Sequence, residues 1–437
     1  MPPMRFGLDF GTSNTTLAVA DDAVVRVLPL DPDVGATMPS VLYIRRDGSA
    51  RVGHGAIDAF LADNAARGPV TREFKLLGVR VPSSDPEQPT VEAHIYTDLA
   101  SPGRFFQSLK TFLGDPLLQP TNVFGDAKGL QDLIAIVLEH VRRRAHELVG
   151  IWPADVTLGR PVEFIGGPEA EARAVARLEE AARLAGFSGV RFELEPIAAA
   201  RAADVPAGTA VVFDFGGGTL DLCVTRREKE RIEILATAGA DIGGDRMTQL
   251  VIDETVAPRL GADAEWGPKR LVLPRFVTNA IGDWRALSAL NEKGLLDALD
   301  DLIRAGAPRR ELLALRSAIE LQLGYEIFAV ADAAKCDLSE QPSALVTFHR
   351  GLVDVDALVT RRRFEMRIAP LLDRVAALLG TVLERADVRH GAVVEVVCTG
   401  GSSAIPAARA LLERTFPQAR VRNTDLYRSV AAGLAVS

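Results

Sequence analysis

The sequence predicts an α/β protein built from two related lobes, and three observations lead to this prediction. The chain has 437 residues, which is enough for two or three domain-sized cores. A strand, a glycine turn and a second strand occur around Asp9 and again, 205 positions later, around Asp214. Each copy is followed by alternating helical and strand patterns, as in layered α/β domains.

The composition is that of an ordinary globular protein, with 48% hydrophobic and 25% charged residues. A net charge of −8 argues against nucleic acid or an anionic membrane as a partner. The chain contains no apolar run near the ~18 residues of a membrane helix, and because its first strand begins within a few residues, we expect no signal peptide. Cys223, Cys336 and Cys398 lie far apart, so we expect neither disulfides nor zinc, and a cytoplasmic protein.

The first copy begins with "MRFGLDF", where Phe6, Leu8 and Phe10 fall on one face of a strand. The segments "TTLAVAD" and "AVVRVLP" complete a three-stranded meander. In the second copy, "AVVFDF", "LDLCVTRRE" and "RIEILATAG" repeat this plan. Two similar meanders so far apart indicate a duplicated lobe rather than a short repeat.

Helices and further strands follow each meander. In the first half, "LQDLIAIVLEHVRRRAHELV" has a helical apolar stripe that includes Leu148, "ADVTLGRPVEF" is typical of a strand, and "PEAEARAVARLEEAARLAGF" of a helix. In the second half, "AVVEVVCTGG" predicts a strand, and "AIPAARALLERTF" and "YRSVAAGLAV" predict helices. We predict lobes at 1–200 and 201–437, with smaller inserted subdomains at about 39–109 and, mostly helical, about 245–340.

The glycine turns indicate phosphate sites. Backbone N–H groups around such a turn form a concave anion site, and glycine lets a phosphate approach closely. Each turn joins two strands, so it is neither a Walker loop nor a dinucleotide fingerprint. Two facing hairpins would hold a polyphosphate from both sides, and Asp9 and Asp214 could hold Mg²⁺ through its water shell. For either aspartate alone, capping of its own turn is an equal alternative.

Five motifs, in order, resemble those of a known superfamily. "LDFGTSNT" and "VFDFGGGTLDL" resemble the phosphate motifs of the actin-like ATPases, and most of all those of the DnaK-type 70-kDa heat-shock proteins. "LEPIAAA", "ATAGADIGGD" and "VVCTGGSSAIP" resemble the connecting, post-phosphate and adenosine motifs. The run "GRPVEF" resembles the divergent YegD-like subgroup. The resemblance implies two ribonuclease H-like lobes, each with a mixed five-stranded sheet, and a last helix returning to the hinge between them.

The resemblance also implies roles for individual residues. Asp9 and Asp214 would orient Mg²⁺ and its waters, Glu195 would lie near the attacking water, and Asp221 would complete the acidic cluster, where K⁺ is a further candidate cofactor. The residues implied to hold the β- and γ-phosphates are Thr12, Ser13, Gly216, Gly217, Gly218 and Thr219, of which Thr219 is also a candidate catalytic residue. Further implied nucleotide-binding residues are Gly11, Gly243 and Gly244. Such sites act by positioning and charge stabilisation, without a nucleophilic side chain.

A lysine that approaches the γ-phosphate is a further feature of the family. Two stretches compete for this role, "FQSLKTFLGD" with Lys110 and "REFKLLGVR" with Lys75. We favour Lys110, because the amphipathic helix from residue 128 follows it after a short gap, as it does in the family.

The nucleoside pocket departs from the family pattern. "DAAKCDLSE" resembles the adenosine helix and supplies Asp332, Lys335 and Ser339. Typical members sandwich the adenine between two arginines, and here those positions are Cys336 and Ala404. Each lost arginine removes ~1–2 kcal/mol of cation–π contact. The opposite wall of the pocket is implied to contain Gly400, Gly401 and Ser402.

We therefore expect a monomeric, chaperone-like ATPase that binds ATP, ADP and Mg²⁺, with a protein partner that the sequence does not identify. We expect neither the family's peptide-binding β-sandwich nor its lid, and hence no peptide clamping of the usual kind. Three alternatives remain at this point: a small-molecule kinase on the same fold, a filament-forming actin homologue, and a nucleotide-binding pseudoenzyme.

Overall fold

The structure is a computed structural model. It describes residues 4–21, 24–31, 35–67, 73–82, 90–97, 101–161, 168–229, 231–423 and 429–437. The strands of the first half are β1 (Arg5–Phe10), β2 (Asn14–Ala20), β3 (Val25–Leu28), β4 (Met38–Pro39), β5 (Val41–Arg45), β6 (Ala50–Val52), β7 (Glu73–Pro82), β8 (Thr90–Thr97), β9 (Gly103–Gln107), β10 (Thr121–Val123), β11 (Asp126–Lys128), β12 (Asp155–Arg160) and β13 (Gly189–Leu194). Those of the second half are β14 (Gly208–Phe215), β15 (Leu220–Glu228), β16 (Arg231–Ala240), β17 (Ser343–Arg350), β18 (Val353–Thr360), β19 (Val393–Thr399) and β20 (Arg420–Asn423).

The helices lie between these strands. They are α1 (His54–Arg67), α2 (Leu130–Val149), α3 (Pro168–Leu184), α4 (Glu195–Ala202), α5 (Gly244–Thr255), α6 (Arg275–Ile281), α7 (Trp284–Ala289), α8 (Lys293–Arg304), α9 (Arg309–Glu320), α10 (Gly324–Glu340), α11 (Arg361–Arg385), α12 (Pro406–Thr415) and α13 (Ser429–Ala435). Short 3₁₀ helices include Leu109–Phe112 and Gly401–Ala404.

Two sheets of the same topology form the framework. The first has the order β13-β12-β1-β2-β3, with β4 beside β2, and the second has the order β16-β15-β14-β19-β20. In both, the first strand pairs antiparallel with the second strand of its hairpin and parallel with a later strand, β12 or β19. The predicted duplication and the two-lobed actin-like fold class are therefore confirmed.

Alternating side chains create a core against each sheet. In the first half, Leu8 on β1 is fully buried with Ile134 and Val137 of α2 and Leu178 of α3. The predicted stripe of α2 is confirmed except at Leu148, which is 38% exposed. The prediction for Leu148 is wrong because the last turn of α2 directs Ala145 and Val149 toward the core instead, and Leu148 lies beside them on the exposed side.

The inserted regions have different character. Residues 38–107 contain β4 to β9 and α1, in which β5 pairs with β6 and with β9. Residues 244–340 contain α5 to α10. The proposed limits of the lobes and subdomains remain predictions.

Among the described residues, contacts that connect the first half of the chain to the second include those of Trp284 and of α13. The ring of Trp284 on α7 packs at 6.1 Å from Phe60 of α1 and 5.6 Å from Phe105 of β9, measured between ring centroids. Helix α13 packs on α4 and β1 so closely that a Cβ added at Gly433 would lie 1.9 Å from the carbonyl oxygen of Ala198. Glycine is needed there because two backbones touch.

Candidate functional site

The two glycine turns have the same backbone hydrogen bond and face each other. Gly11 N–H donates to the carbonyl of Asn14 at 2.9 Å, and Gly216 N–H donates to that of Thr219 at 3.0 Å. A Cβ added at Gly218 would lie 3.4 Å from Ser13 Oγ, so the two turns come close together. Predicted phosphate residues from both halves, including the half-buried Gly11 and Thr12, thus border one cleft.

The strand register places the acidic side chains at this cleft. Asp214 is the last residue but one of β14, directly opposite Asp221 of β15, and Asp9 has the matching place in β1. Side chains of directly opposed residues lie on the same face of a sheet. Thr219 Oγ donates to Asp221 Oδ2 at 3.1 Å, which fixes that carboxylate beside the second turn.

A lysine and a glutamate from two other elements complete the cluster. Lys110, on the 3₁₀ helix Leu109–Phe112, donates from Nζ to Glu195 Oε1 at 2.5 Å. Glu195 begins α4 directly after β13, where the helix dipole favours a carboxylate. Lys110 is 9% exposed, and a buried ammonium requires such carboxylate partners.

The electrostatics of the cluster favour an added cation. Burial, and after it the charge of Glu195, raise the pKa of Asp9 to about 7. Burial and Asp221 raise the pKa of Asp214 to about 7, and the pKa of Asp221 is raised by burial and by Glu195. Burial lowers the pKa of Lys110, but Glu195 and Asp9 outweigh it and raise that pKa overall. Four carboxylates face one ammonium, which is the environment a divalent cation would neutralise.

The competing lysine lies elsewhere in the chain. Lys75 is in β7 and pairs with Ile95 of β8, and its side chain lies outside the described part of the structure. Lys110, by contrast, is in contact with the acidic cluster. The γ-phosphate role of Lys110 remains a prediction.

The start of α5 packs directly on the second turn. Gly244 N–H donates to the Gly216 carbonyl at 3.0 Å, and Ser402 Oγ donates to the same oxygen at 2.9 Å. A Cβ at Gly243 would lie 2.1 Å from the Gly217 carbonyl oxygen, so only glycine fits between the two backbones. Gly400 has φ = 75° and likewise touches the backbone at Phe215, which brings the segment with Gly401 and Ser402 to the cleft.

The predicted nucleoside residues lie on α10 beside this segment. Lys335 Nζ donates to Asp332 Oδ1 at 2.5 Å and to Thr248 Oγ of α5 at 3.0 Å, while Ser339 lies one turn further along α10. A Cβ at Gly244 would lie 3.2 Å from Lys335 Nζ and 2.6 Å from Ser402 Oγ. These residues therefore form one wall that is continuous with the second turn.

The two positions that depart from the family pattern lie at the same wall. Cys336 is exposed on α10, with its Sγ 3.9 Å from Asp332 Oδ2, and Ala404 ends the 3₁₀ helix Gly401–Ala404. Neither side chain can stack on a purine as a guanidinium does.

Sequence reasoning missed two groups of residues. Thr248 is hydrogen-bonded to both Lys335 and Asp332. Its position four residues after Gly244, on the same face of α5, was the sequence feature that could have identified it. Arg173 and Arg177 of α3 bind the segment that follows Lys110, and no motif marks them. They are found only when the fold brings α3 beside that segment.

No three His, Cys, Asp or Glu side chains form a direct metal-ligand set within the described ranges. A cation held mainly by phosphate oxygens and water agrees with this arrangement, because Mg²⁺ keeps much of its water shell. The excess of carboxylates over ammonium groups therefore fits Mg²⁺ bound together with a phosphate ligand.

Comparison with known proteins identifies the family. The model of the Hsp70 protein family matches residues 5–293 and 321–437, and the chain belongs to this family. It is 28% identical over 99% of its length to the chaperone protein HscA of Pectobacterium carotovorum subsp. carotovorum, covering 57% of that protein. It is 27% identical to the HscA homolog of Acidithiobacillus ferrooxidans and 26% identical to that of Vibrio vulnificus, over 99% and 98% of this chain and 58% and 57% of those proteins.

These matches confirm the predicted resemblance to DnaK-type heat-shock proteins, while the YegD-like subgroup stays a prediction. The chain spans a little over half the length of the curated relatives that it matches. Within the described residues, no helix is both long and apolar enough to cross a membrane.

Proposed function

We propose that the chain binds Mg²⁺-ATP between its two glycine turns and hydrolyses it to ADP and phosphate, as a chaperone-type ATPase. The observation that carries this proposal is the convergence of Asp9, Lys110, Glu195, Asp214 and Asp221 beside two facing phosphate turns. The family is one of chaperone ATPases, which supports the nucleotide as ligand.

Each group of residues at the cleft has a separate role in this proposal. The N–H groups of the turns bind the β- and γ-phosphates, and Asp9 and Asp214 would hold Mg²⁺. When bound, Mg²⁺ neutralises charge on the phosphates. Lys110 stabilises the charge that develops on the γ-phosphate, and it holds Glu195 where a water can donate a hydrogen bond to the carboxylate. The bond from the β–γ bridging oxygen to phosphorus breaks as the water oxygen bonds to phosphorus; the bonding pair stays on the ADP oxygen, and the proton that the water loses leaves with the released phosphate.

The proposed nucleoside contacts lie on the wall that continues from the second turn. They are Asp332, Lys335 and Ser339 of α10 and the adjoining Gly400, Gly401 and Ser402. Since Cys336 and Ala404 provide no guanidinium stack, we propose that the phosphates supply most of the binding energy and that discrimination among purines is weak.

The test is release of ADP and phosphate by the wild-type chain and by an Asp9→Ala, Asp214→Ala double variant. We expect equal amounts of both products from the wild type and loss of both from the double variant. Asp126→Ala, in the exposed hairpin of β10 and β11, is the control and should keep full activity. Equal rates in the wild type and double variant would refute the proposed site.

Three measurements separate the other candidate functions. ADP release that exceeds phosphate release in the presence of a sugar would indicate a kinase. A wild-type melting temperature unchanged by millimolar Mg²⁺-ATP would remove the nucleotide from the proposal altogether. Concentration-dependent sedimentation with ATP would indicate a filament rather than a monomer.

A further inference from the structure

The 3₁₀ helix that carries Lys110 is held from outside the cleft by two arginines of α3. Arg177 Nη1 donates to the carbonyl oxygens of Leu113 at 2.8 Å and Asp115 at 2.9 Å, with a longer contact to that of Phe112. Arg173 Nε donates to the carbonyl of Gly114 at 3.2 Å. The carbonyl of the last residue of this helix and the three carbonyls that follow it thus accept hydrogen bonds from one face of α3.

These hydrogen bonds supply partners for carbonyls at the end of the 3₁₀ helix. The last carbonyls of a helix have no partner within the helix, and a 3₁₀ turn of four residues has poor hydrogen-bond geometry of its own. Ser108, which precedes the turn, adopts φ = 51°, a left-handed conformation that costs a non-glycine residue energy. The turn is therefore not stable by itself, and its position depends on the contacts around it.

Helix α3 is a rigid support for such contacts. Ala174 and Leu178 are fully buried against the first sheet, on the side of the helix adjacent to the two arginines. Arg173 and Arg177 are four residues apart, so both guanidinium groups extend from the same face. Contacts thus connect the sheet core to α3, and the arginines of α3 to the carbonyls that follow the 3₁₀ helix. The last link is the Leu113 N–H, which donates to the Lys110 carbonyl at 3.2 Å.

We propose that Arg177, assisted by Arg173, is a positioning residue for Lys110, which it holds against Glu195. The inference rests on the proposed function and adds to it a residue outside the cleft. Without the guanidinium, the Leu113 and Asp115 carbonyls lose their partner and the turn moves away from the geometry in which Lys110 meets Glu195.

The first test compares Arg177→Ala with Arg183→Ala, which removes an exposed arginine near the end of the same helix. Displacing a catalytic group by about 1 Å can cost on the order of 100-fold in rate. We therefore expect single-turnover ATP hydrolysis to fall about 10- to 100-fold in Arg177→Ala, with the dissociation constant for ADP unchanged. Arg183→Ala should match the wild type. An unchanged rate in Arg177→Ala would overturn the proposal.

A double-mutant cycle separates positioning from general destabilisation. In a Lys110→Ala background, Arg177→Ala should reduce the rate no further, because its effect passes through Lys110. Full additivity of the two substitutions would contradict this route. Arg177→Lys should not restore the rate, since one ammonium cannot reproduce the fork of a guanidinium.

Chemical rescue provides a further check. A cavity of about 410 Å³ lies beside Arg177, with Leu118, Pro120 and Arg173 in its lining, and it offers a path for a small cation. Millimolar methylguanidinium should recover part of the Arg177→Ala rate and none of the Lys110→Ala rate. Lack of any rescue, together with an ADP dissociation constant that rises in step with the lost rate, would indicate a merely structural role.

A measurement independent of hydrolysis keeps this inference distinct from the proposed function. Lys110 is 9% exposed and should react slowly with an amine-acylating reagent, as read by peptide mass spectrometry. In Arg177→Ala it should be labelled several-fold faster, whereas lysines on other elements keep their rates. Equal labelling of Lys110 in both proteins would refute the positioning role even if the chain hydrolyses ATP, and faster labelling would support it even if it does not.

Discussion

Replacing Asp214 by asparagine should make the nucleotide-free protein more stable while it removes nucleotide binding. Asp214 is held among other carboxylates, and burial followed by the charge of Asp221 raises its pKa to about 7. A carboxylate in such a place opposes folding at neutral pH, because the ionised form loses solvation and meets like charge. An amide of the same shape has no charge to bury.

The magnitude follows from linkage between protonation and folding. With a pKa of about 7 in the folded chain and 3.8 as the ordinary value, ionisation of Asp214 lowers the free energy of unfolding by about 4 kcal/mol at pH 7 and about 2 kcal/mol at pH 5. The side chain retains some exposure to the cleft, so solvent reduces these figures. We expect Asp214→Asn to gain about 1–3 kcal/mol at pH 7 and roughly half of that at pH 5.

The stability penalty from ionised Asp214 depends on pH in a definite direction. Since the folded pKa lies above the unfolded one, the penalty is absent below about pH 4, grows as the pH rises and is complete somewhat above pH 7. The wild type should therefore lose stability relative to Asp214→Asn as the pH rises through this window.

The assay is urea unfolding of both proteins in EDTA at pH 5 and pH 7, followed by melting curves with and without Mg²⁺-ATP. Asp126→Asn is the control, because an exposed carboxylate changes stability by less than about 0.5 kcal/mol. The reasoning is refuted if Asp214→Asn is less stable than the wild type at pH 7, or if its melting temperature still rises with Mg²⁺-ATP by the wild-type amount.

Three further predictions concern other parts of the cleft. Cys336→Arg and Ala404→Arg should each tighten ADP binding about 5- to 30-fold, the equivalent of ~1–2 kcal/mol of cation–π contact, as measured by calorimetry against GDP as a comparison ligand. Trp284→Ala removes aromatic contacts worth ~0.5–1.5 kcal/mol between the two inserted segments, so a fluorescent ADP analogue should dissociate about 2- to 12-fold faster. The control is Trp152→Ala, which removes an exposed ring and should not change the dissociation rate. Gly243→Ala forces a Cβ to within 2.1 Å of a backbone oxygen and should abolish nucleotide binding, whereas an alanine at Gly380 of α11 meets open space and should preserve it.

The backbone plan could be predicted from the sequence because local patterns and the duplication agreed. Alternation in "MRFGLDF" and "VVFDF" predicts strands whose apolar faces are buried, and both strands occupy equivalent places in sheets of equivalent order. Asp9 and Asp214 could be predicted for the same reason, since their position near strand ends next to glycine turns is a local feature, whereas Glu195 and Asp221 were implied by the family resemblance. What the sequence left open was which lysine joins them, because this depends on how the segment from 101 to 115 folds back.

Contacts between distant segments lay beyond sequence reasoning. Arg177 meets the carbonyls of Leu113 and Asp115 only because α3 packs beside that segment, more than sixty positions away in the sequence. Trp284 meets Phe60 across an even longer separation. No periodicity or motif encodes such pairs, since each partner has an ordinary composition around it and only the tertiary fold brings them together.

The charge of the cleft connects its chemistry to the arrangement of the two halves. Asp9 and Asp214 belong to different sheets with separate cores, and the charge of Asp214 contributes to the raised pKa of Asp9. Without a cation, this repulsion favours separation of the two turns, while α13 on α4 and the Trp284 cluster hold the halves together elsewhere. A bound phosphate ligand adds negative charge, so it can bring the turns together only with Mg²⁺. We therefore expect ADP or ATP alone to leave the melting temperature almost unchanged and Mg²⁺ with nucleotide to raise it, and stabilisation by metal-free nucleotide would contradict this account.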